Sequence, residues 1–321
     1  MEKSRAVEHS LAFRNIICLT VLAVVFAIAQ KTMSQVSESS PISERPIIVN
    51  TDLVTFNVSV IDSEGFSVTD LDKRSFEITD NKQPQQIAYF SDADLPVSVG
   101  IVFDVSGSMS GKKIARAQEA LSTFIQTSHP QDEYFLIDFN SQPQLLLDKT
   151  RDGDAVVKKL TFVEPTGSTA LYDAVYLALD RVTRGTHSRR VILIISDGED
   201  NNSRYTFSQL RRALGESDVA VYAVGIDGGM GGKYAFYGEL LLEELTSVSG
   251  GRAFFPRSSN RLNEIFEEIA LELRHQYSIG FRPSNFTSDG KWHRVTVKVT
   301  PPNDVKRVFV RHREGYYAVA K

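Results

Sequence analysis

Between Val97 and Leu273 the sequence repeats one rhythm, and that rhythm restricts the fold more than any other feature. Apolar runs at Val97–Phe103, Tyr134–Phe139, Val191–Ile195 and Val219–Ile226 lack polar alternation, as strands covered on both faces do. Between them lie stripes at helical spacing. Ile114, Ala117, Leu121, Phe124 and Ile125 form one, and Leu171, Ala174, Val175, Ala178, Leu179 and Val182 form a second. Two more follow, over Leu240–Val248 and through Leu262, Ile265, Phe266, Ile269 and Leu273, with a short strand at Arg252–Phe255 between them. Strand and helix in alternation predict an α/β class: a Rossmann-like, doubly wound, mostly parallel sheet with helices on both faces.

On both sides of this unit the period changes to two. Val54, Phe56, Val58 and Val60 alternate with Thr55, Asn57 and Ser59, and the strand is closed by Asp62-Ser63-Glu64-Gly65. Short strands are expected at Phe76–Thr79 and Ile87–Phe90, turning at Asp80-Asn81-Lys82. After Gln276 the alternation returns in Val295, Val297 and Val299, with turn residues at 283–285, 289–290 and 301–304. Each flank holds too few strands to stand alone. Residues 46–92 and 276–321 are therefore expected to pair into one flanking β-sandwich, discontinuous in sequence, with residues 93–275 as the inserted α/β domain.

The first residues carry a targeting pattern. Lys3, Arg5 and Arg14 precede the apolar run Ile16–Ala29, which ends in the small-x-small triplet Ala27-Ile28-Ala29. Residues 1–29 read as a signal peptide, with an uncleaved membrane anchor as the alternative, and residues 30–45, polar and serine-rich, as a disordered linker. The expected location is secreted, periplasmic or cell-envelope. Cys18, the single cysteine, falls inside the apolar run, so a mature chain has neither thiol nor disulfide.

A formal charge of −4 over 321 residues, with basic pairs scattered along the chain, gives no electrostatic reason to expect nucleic acid. The chemistry is concentrated at three strand or helix ends. The first apolar run ends in Asp104-Val105-Ser106-Gly107-Ser108; Thr166-Gly167-Ser168-Thr169 precedes the second helical stripe; Ser196-Asp197-Gly198 follows the third apolar run. In a parallel order all three reach the same sheet edge, where open α/β sheets bind ligands. Together they offer two carboxylates, Asp104 and Asp197, and three hydroxyls, Ser106, Ser108 and Thr169. These are oxygen donors of the kind a hard divalent cation takes.

Asp-x-Ser-x-Ser, the Gly-Ser-Thr loop and the strand-terminal Ser-Asp-Gly resemble the metal-ion-dependent adhesion site of von Willebrand factor type A domains, over roughly residues 91–275. Asp94–Met109, Leu171–Val175 and Leu273–Phe281, with the β flanks, further resemble a group of secreted bacterial proteins related to that domain. The resemblance implies that Ser106, Ser108 and Thr169 ligate a divalent cation, Mg²⁺ or else Mn²⁺ or Ca²⁺, with Asp104 and Asp197 holding it directly or through waters. It also implies an adhesion module that docks an Asp or Glu carboxylate of a protein partner. A subunit or assembly factor of an envelope complex is the alternative.

Enzymatic readings fare worse. A phosphate-binding loop ending at Gly111-Lys112 requires glycine where Ser106 stands, and a nucleophile elbow over Gly107–Gly111 requires serine where Met109 stands. The six histidines show no ligand spacing, and no general base is nominated for a metal-assisted hydrolase, so the chain is expected not to be an enzyme. Asp173 reads as a favourable charge in the first turn of its helix, with a sixth ligand as the alternative, and Glu199 and Asp200 as solvated loop charges, with tempering of the cation's field as the alternative. The loop Asp227–Gly238, with Tyr234, Phe236 and Tyr237, reads either as a rim for a partner or as a connector.

Overall fold

A computed structural model describes residues 53–226, 233–258, 261–284, 289–302 and 305–318. The expected signal peptide and linker, and residues 227–232 of the glycine-rich loop, lie outside the described residues.

The N-terminal flank supplies β1 (Val54–Asp62), β2 (Phe76–Asp80), β3 (Gln83–Gln85) and β4 (Ile87–Ser91). The central unit follows as β5 (Val97–Asp104), α1 (Lys112–Thr127), β6 (Glu133–Phe139), β7 (Pro143–Thr150), α2 (Gly153–Leu160) and α3 (Leu171–Val182). It continues through β8 (Arg189–Ser196), α4 (Phe207–Glu216), β9 (Ala220–Gly225), α5 (Lys233–Ser249), β10 (Ala253–Phe254) and α6 (Leu262–Arg274). The C-terminal flank is β11 (Tyr277–Phe281), β12 (Trp292–Val299), β13 (Val308–Arg311) and β14 (Gly315–Tyr317).

The central sheet has the order β10-β9-β8-β5-β6-β7, parallel except for the antiparallel edge strand β7. All eight residues of β5 are buried. Val97, Val99, Ile101 and Phe103 pack with α1 and α6 on one face, and Val102 packs with α3 on the other. Gly100 faces α3 with no side chain, leaving room for Ala178 and Val182 to approach the sheet. Each fully buried aliphatic or phenyl side chain in these layers contributes roughly 1.5–3 kcal/mol through the hydrophobic effect.

The two flanks interleave. One sheet runs β13-β1-β11-β4 and the other β14-β12-β2-β3, so each contains strands from both ends of the chain. Phe56 lies opposite Ile279, and Ile78 opposite Val297. Their inward faces, including Phe56, Val58, Val60, Phe76, Tyr277 and Phe281, form a third core.

Buried polar contacts join sandwich and α/β unit. Tyr222 on β9 donates to Glu272 Oε1 of α6 at 2.7 Å, and Gln276 Nε2 donates to both Tyr222 Oη and Ser59 Oγ of β1 at 3.2 Å. Arg189, 1% exposed, donates to the carbonyls of Ala93 and Gln276, one on each connection between the two parts.

β3, β7, α2 and α4 were not expected from sequence, and β11, β13 and β14 were expected only as unplaced strands of the C-terminal flank. The helix expected at Leu240 begins earlier, at Lys233. Among the described residues, no helix is long and apolar enough to cross a membrane.

Candidate metal centre

The three oxygen-bearing segments meet at the C-terminal edge of the central sheet, and hydrogen bonds tie each to the other two. Gly107 N–H donates to the Gly167 carbonyl at 3.1 Å and Thr166 N–H to the Val105 carbonyl at 2.9 Å, joining the first segment to the second. The Asn201 and Asn202 N–H groups both donate to the Thr169 carbonyl at 3.0 Å, joining the second to the loop that continues the third. Ser196 Oγ donates to Asp104 Oδ2 at 2.6 Å, joining the third to the first.

Asp104 is fully buried. Its Oδ1 accepts the Ser106 N–H at 2.8 Å, an i to i+2 turn that bends the chain away from β5. Ser106 Oγ and Ser108 Oγ then stand 3.0 Å apart, the first buried and the second exposed. Thr169 is buried beside the start of α3, with its N–H held by Asn201 Oδ1 at 2.9 Å. Gly198 adopts φ +86°, and a Cβ there would stand 2.7 Å from the backbone of Gly238 in α5. Glycine is thus required on both counts where the chain turns directly after Asp197.

The electrostatics of the cluster are those of an unmet demand for positive charge. Burial pushes the Asp104 carboxyl up to about 6; hydrogen bonds from Ser106 and Ser196 oppose this, and the Asp197 charge reinforces it. Asp197 Oδ1 is buried with no hydrogen-bond partner among the described residues. Its Oδ2 has Lys113 Nζ at 3.8 Å. No three Asp, Glu, His or Cys side chains gather as a metal cluster among the described residues, so a cation here would rest on two carboxylates supplemented by neutral hydroxyls. The orphaned carboxylate oxygen and the all-oxygen donor set fit Mg²⁺, Mn²⁺ or Ca²⁺.

Sequence reasoning missed the groups that hold these side chains. Ser196 was visible only as a neighbour of Asp197. Asp200, read as a loop charge, accepts the Tyr172 N–H at 3.0 Å and the Ser203 hydroxyl at 2.6 Å. It thereby caps α3, whose N-cap residue, Ala170, makes no side-chain cap bond. Asp173 accepts from the Arg204 and Tyr205 N–H groups and from Arg204 Nε, so it anchors the loop after Asn202. A cap reaching from another loop leaves no local sequence signature. Phe236 and Tyr237, 58% and 56% exposed, stand beside Gly238, whose backbone packs on the Asp197-Gly198 turn.

Residues 99–199 match a family model described as the von Willebrand factor type A domain. The chain is 27% identical over 266 residues to inter alpha-trypsin inhibitor, heavy chain 4, of Mus musculus, a match covering 75% of this chain and 26% of that protein. It thus spans about a quarter of that relative's length. Among solved structures, von Willebrand factor type A from Catenulispora acidiphila aligns with TM-score 0.48 and 13% identity, over 81% of this chain and 73% of the other. Proximal thread matrix protein 1 from the mussel byssus, with a zinc-occupied MIDAS motif, aligns with TM-score 0.49 and 17% identity, over 60% and 49%.

Proposed function

The α/β unit of this chain is a von Willebrand factor type A domain, and on that premise we propose that the protein is a secreted or cell-envelope binding module that docks a protein partner through a divalent cation. The observation that carries this reading is the closed cycle of hydrogen bonds among the three loops, which gathers Asp104, Ser106, Ser108, Thr169 and Asp197 at one sheet edge.

These five side chains would hold the cation. When bound, the cation supplies a Lewis-acidic position at which a carboxylate of the partner can replace a water. Ser106, Ser108 and Thr169 are neutral ligands, so they leave more of the cation's charge for the partner than an all-carboxylate shell would. Asp104 is anchored by two hydrogen bonds and cannot swing out to satisfy the cation alone.

The proposed role is binding and not catalysis. Four described histidines serve elsewhere: His293 pairs with Asp80 in the sandwich, His312 accepts the Val297 N–H there, and His129 and His187 bond to Gln131 near the opposite end of the central sheet.

A pull-down from an extracellular or envelope fraction tests the reading, with wild type and Asp104→Ala compared in Mg²⁺ and in chelator. Capture only by wild type in Mg²⁺ is expected. Equal capture under all four conditions would show that the partner does not use the cation.

A further inference from the structure

We infer that Lys113 is an internal competitor for the cation: its ammonium occupies Asp197 in the cation-free state, and cation binding turns it out toward the partner. This rests on the cation reading above. Lys113 Nζ lies 3.8 Å from Asp197 Oδ2, with 26% of the lysine side chain and 14% of the aspartate side chain exposed. The other oxygen of the same carboxylate is buried and unpartnered among the described residues.

The placement of this lysine is not explained by the helix it belongs to. Lys112 and Lys113 open α1, whose first turn contains no acidic residue, and positive charge at a helix N-terminus opposes the backbone dipole. The N-cap, Gly111, makes no side-chain cap bond either. What compensates Lys113 is Asp197, a residue about eighty positions away that the cation would also use.

A monovalent ammonium on a flexible four-carbon stem meets Oδ2 of Asp197 and leaves its buried Oδ1 without a partner among the described residues. A divalent ion bound at the same carboxylate carries more charge in a fixed position and repels the ammonium. The partly exposed stem can rotate toward solvent on the same sheet edge. There its charge favours a carboxylate-bearing partner, so loading of the cation and attraction of the partner are coupled through one side chain.

The experiment is calorimetric titration of MnCl₂ into chelator-stripped wild type, Lys113→Met and Lys112→Met. Loss of a partly exposed competing charge is expected to lower Kd for Lys113→Met roughly three- to tenfold, with Lys112→Met changing much less. An unchanged or higher Kd for Lys113→Met overturns the inference, the second outcome identifying Lys113 as a clamp that prepares Asp197. Mn²⁺ uptake by none of the three proteins overturns the cation reading itself. In parallel, limited acetylation with an amine-reactive ester, read by peptide mass spectrometry, is expected to modify Lys113 faster in saturating Mn²⁺ than in chelator. Equal rates in a protein that binds Mn²⁺ overturn the displacement.

Discussion

Ser196 Oγ donates a 2.6 Å hydrogen bond to Asp104 Oδ2, linking the tips of two adjacent parallel strands. The same oxygen accepts the Gly198 N–H at 3.0 Å, so one hydroxyl fixes a candidate ligand on β5 and the turn that presents Asp197 after β8.

Ser196→Ala is therefore expected to cost about 1–3 kcal/mol, because a buried carboxylate loses a donor and a buried N–H loses its acceptor. Urea denaturation measures this. Titration of the folded variant should also show weaker Mg²⁺ or Mn²⁺ binding, whereas wild-type affinity would mean that Asp104 is positioned without Ser196.

Gly198→Ala meets both a left-handed φ and the Gly238 backbone. We expect a loss of stability larger than the roughly 1 kcal/mol of an ordinary glycine replacement, together with a lower cation affinity. A variant with wild-type melting temperature would argue that α5 moves away readily from this turn.

Stability of the cation-free chain should fall as pH rises through about 6. Burial pushes the carboxyls of Asp104 and Asp132 up to about 6, so the fold favours their protonated forms. Their contribution is complete below the ordinary aspartate value near 3.8 and is lost as pH climbs through the raised value. Each can account for on the order of 2–3 kcal/mol. Asp132 accepts from the Val97 and His129 N–H groups, away from the candidate site. Asp132→Asn should flatten part of the pH profile, even though losing an acceptor adds a pH-independent cost. A profile with unchanged slope would remove Asp132 from this account.

Tyr222→Phe removes the donor to Glu272 and the acceptor for Gln276 at the junction of sandwich and α/β unit. The expected cost is about 1–3 kcal/mol in urea denaturation, since Glu272 is 3% exposed and Tyr222 is the donor to its Oε1 among the described residues. Should the junction carry the cooperativity of the fold, the transition will also broaden. A loss below about 0.5 kcal/mol would show that water replaces the hydroxyl there.

The central fold was legible because its signals are local. Unbroken apolar runs identify β5, β6, β8 and β9, and helical stripes identify α1, α3 and α6. The interleaved sandwich followed from counting strands: neither flank could cover its own apolar face. The omissions have physical causes. β7 is an edge strand whose residues are partly exposed, so it lacks the apolar run of its neighbours. Only Val156 and Leu160 of α2 are buried, too short a stripe to stand out. α4 did carry a signal, the capping box of Thr206 and Gln209 ahead of Leu210 and Leu214. At the site the five candidate ligands could be read from motif and position. Ser196, Asn201 and Asp200 could not, because their partners lie in other loops and only the folded backbone brings them together.

The interleaving of the flanks also governs the order in which the chain can acquire structure. Phe56 waits for Ile279, about 220 residues downstream, before β1 gains its neighbour in the sheet. During synthesis β2 can pair at once with β3, whereas β1 and β4 find their sheet neighbours only in β11 and β13, so Phe56, Val58 and Val60 stay open to the wrong strand. Newly made chain is therefore most vulnerable to aggregation at its N-terminal strands, and holding those strands apart until β11 and β13 emerge is what a chaperone for this protein would do.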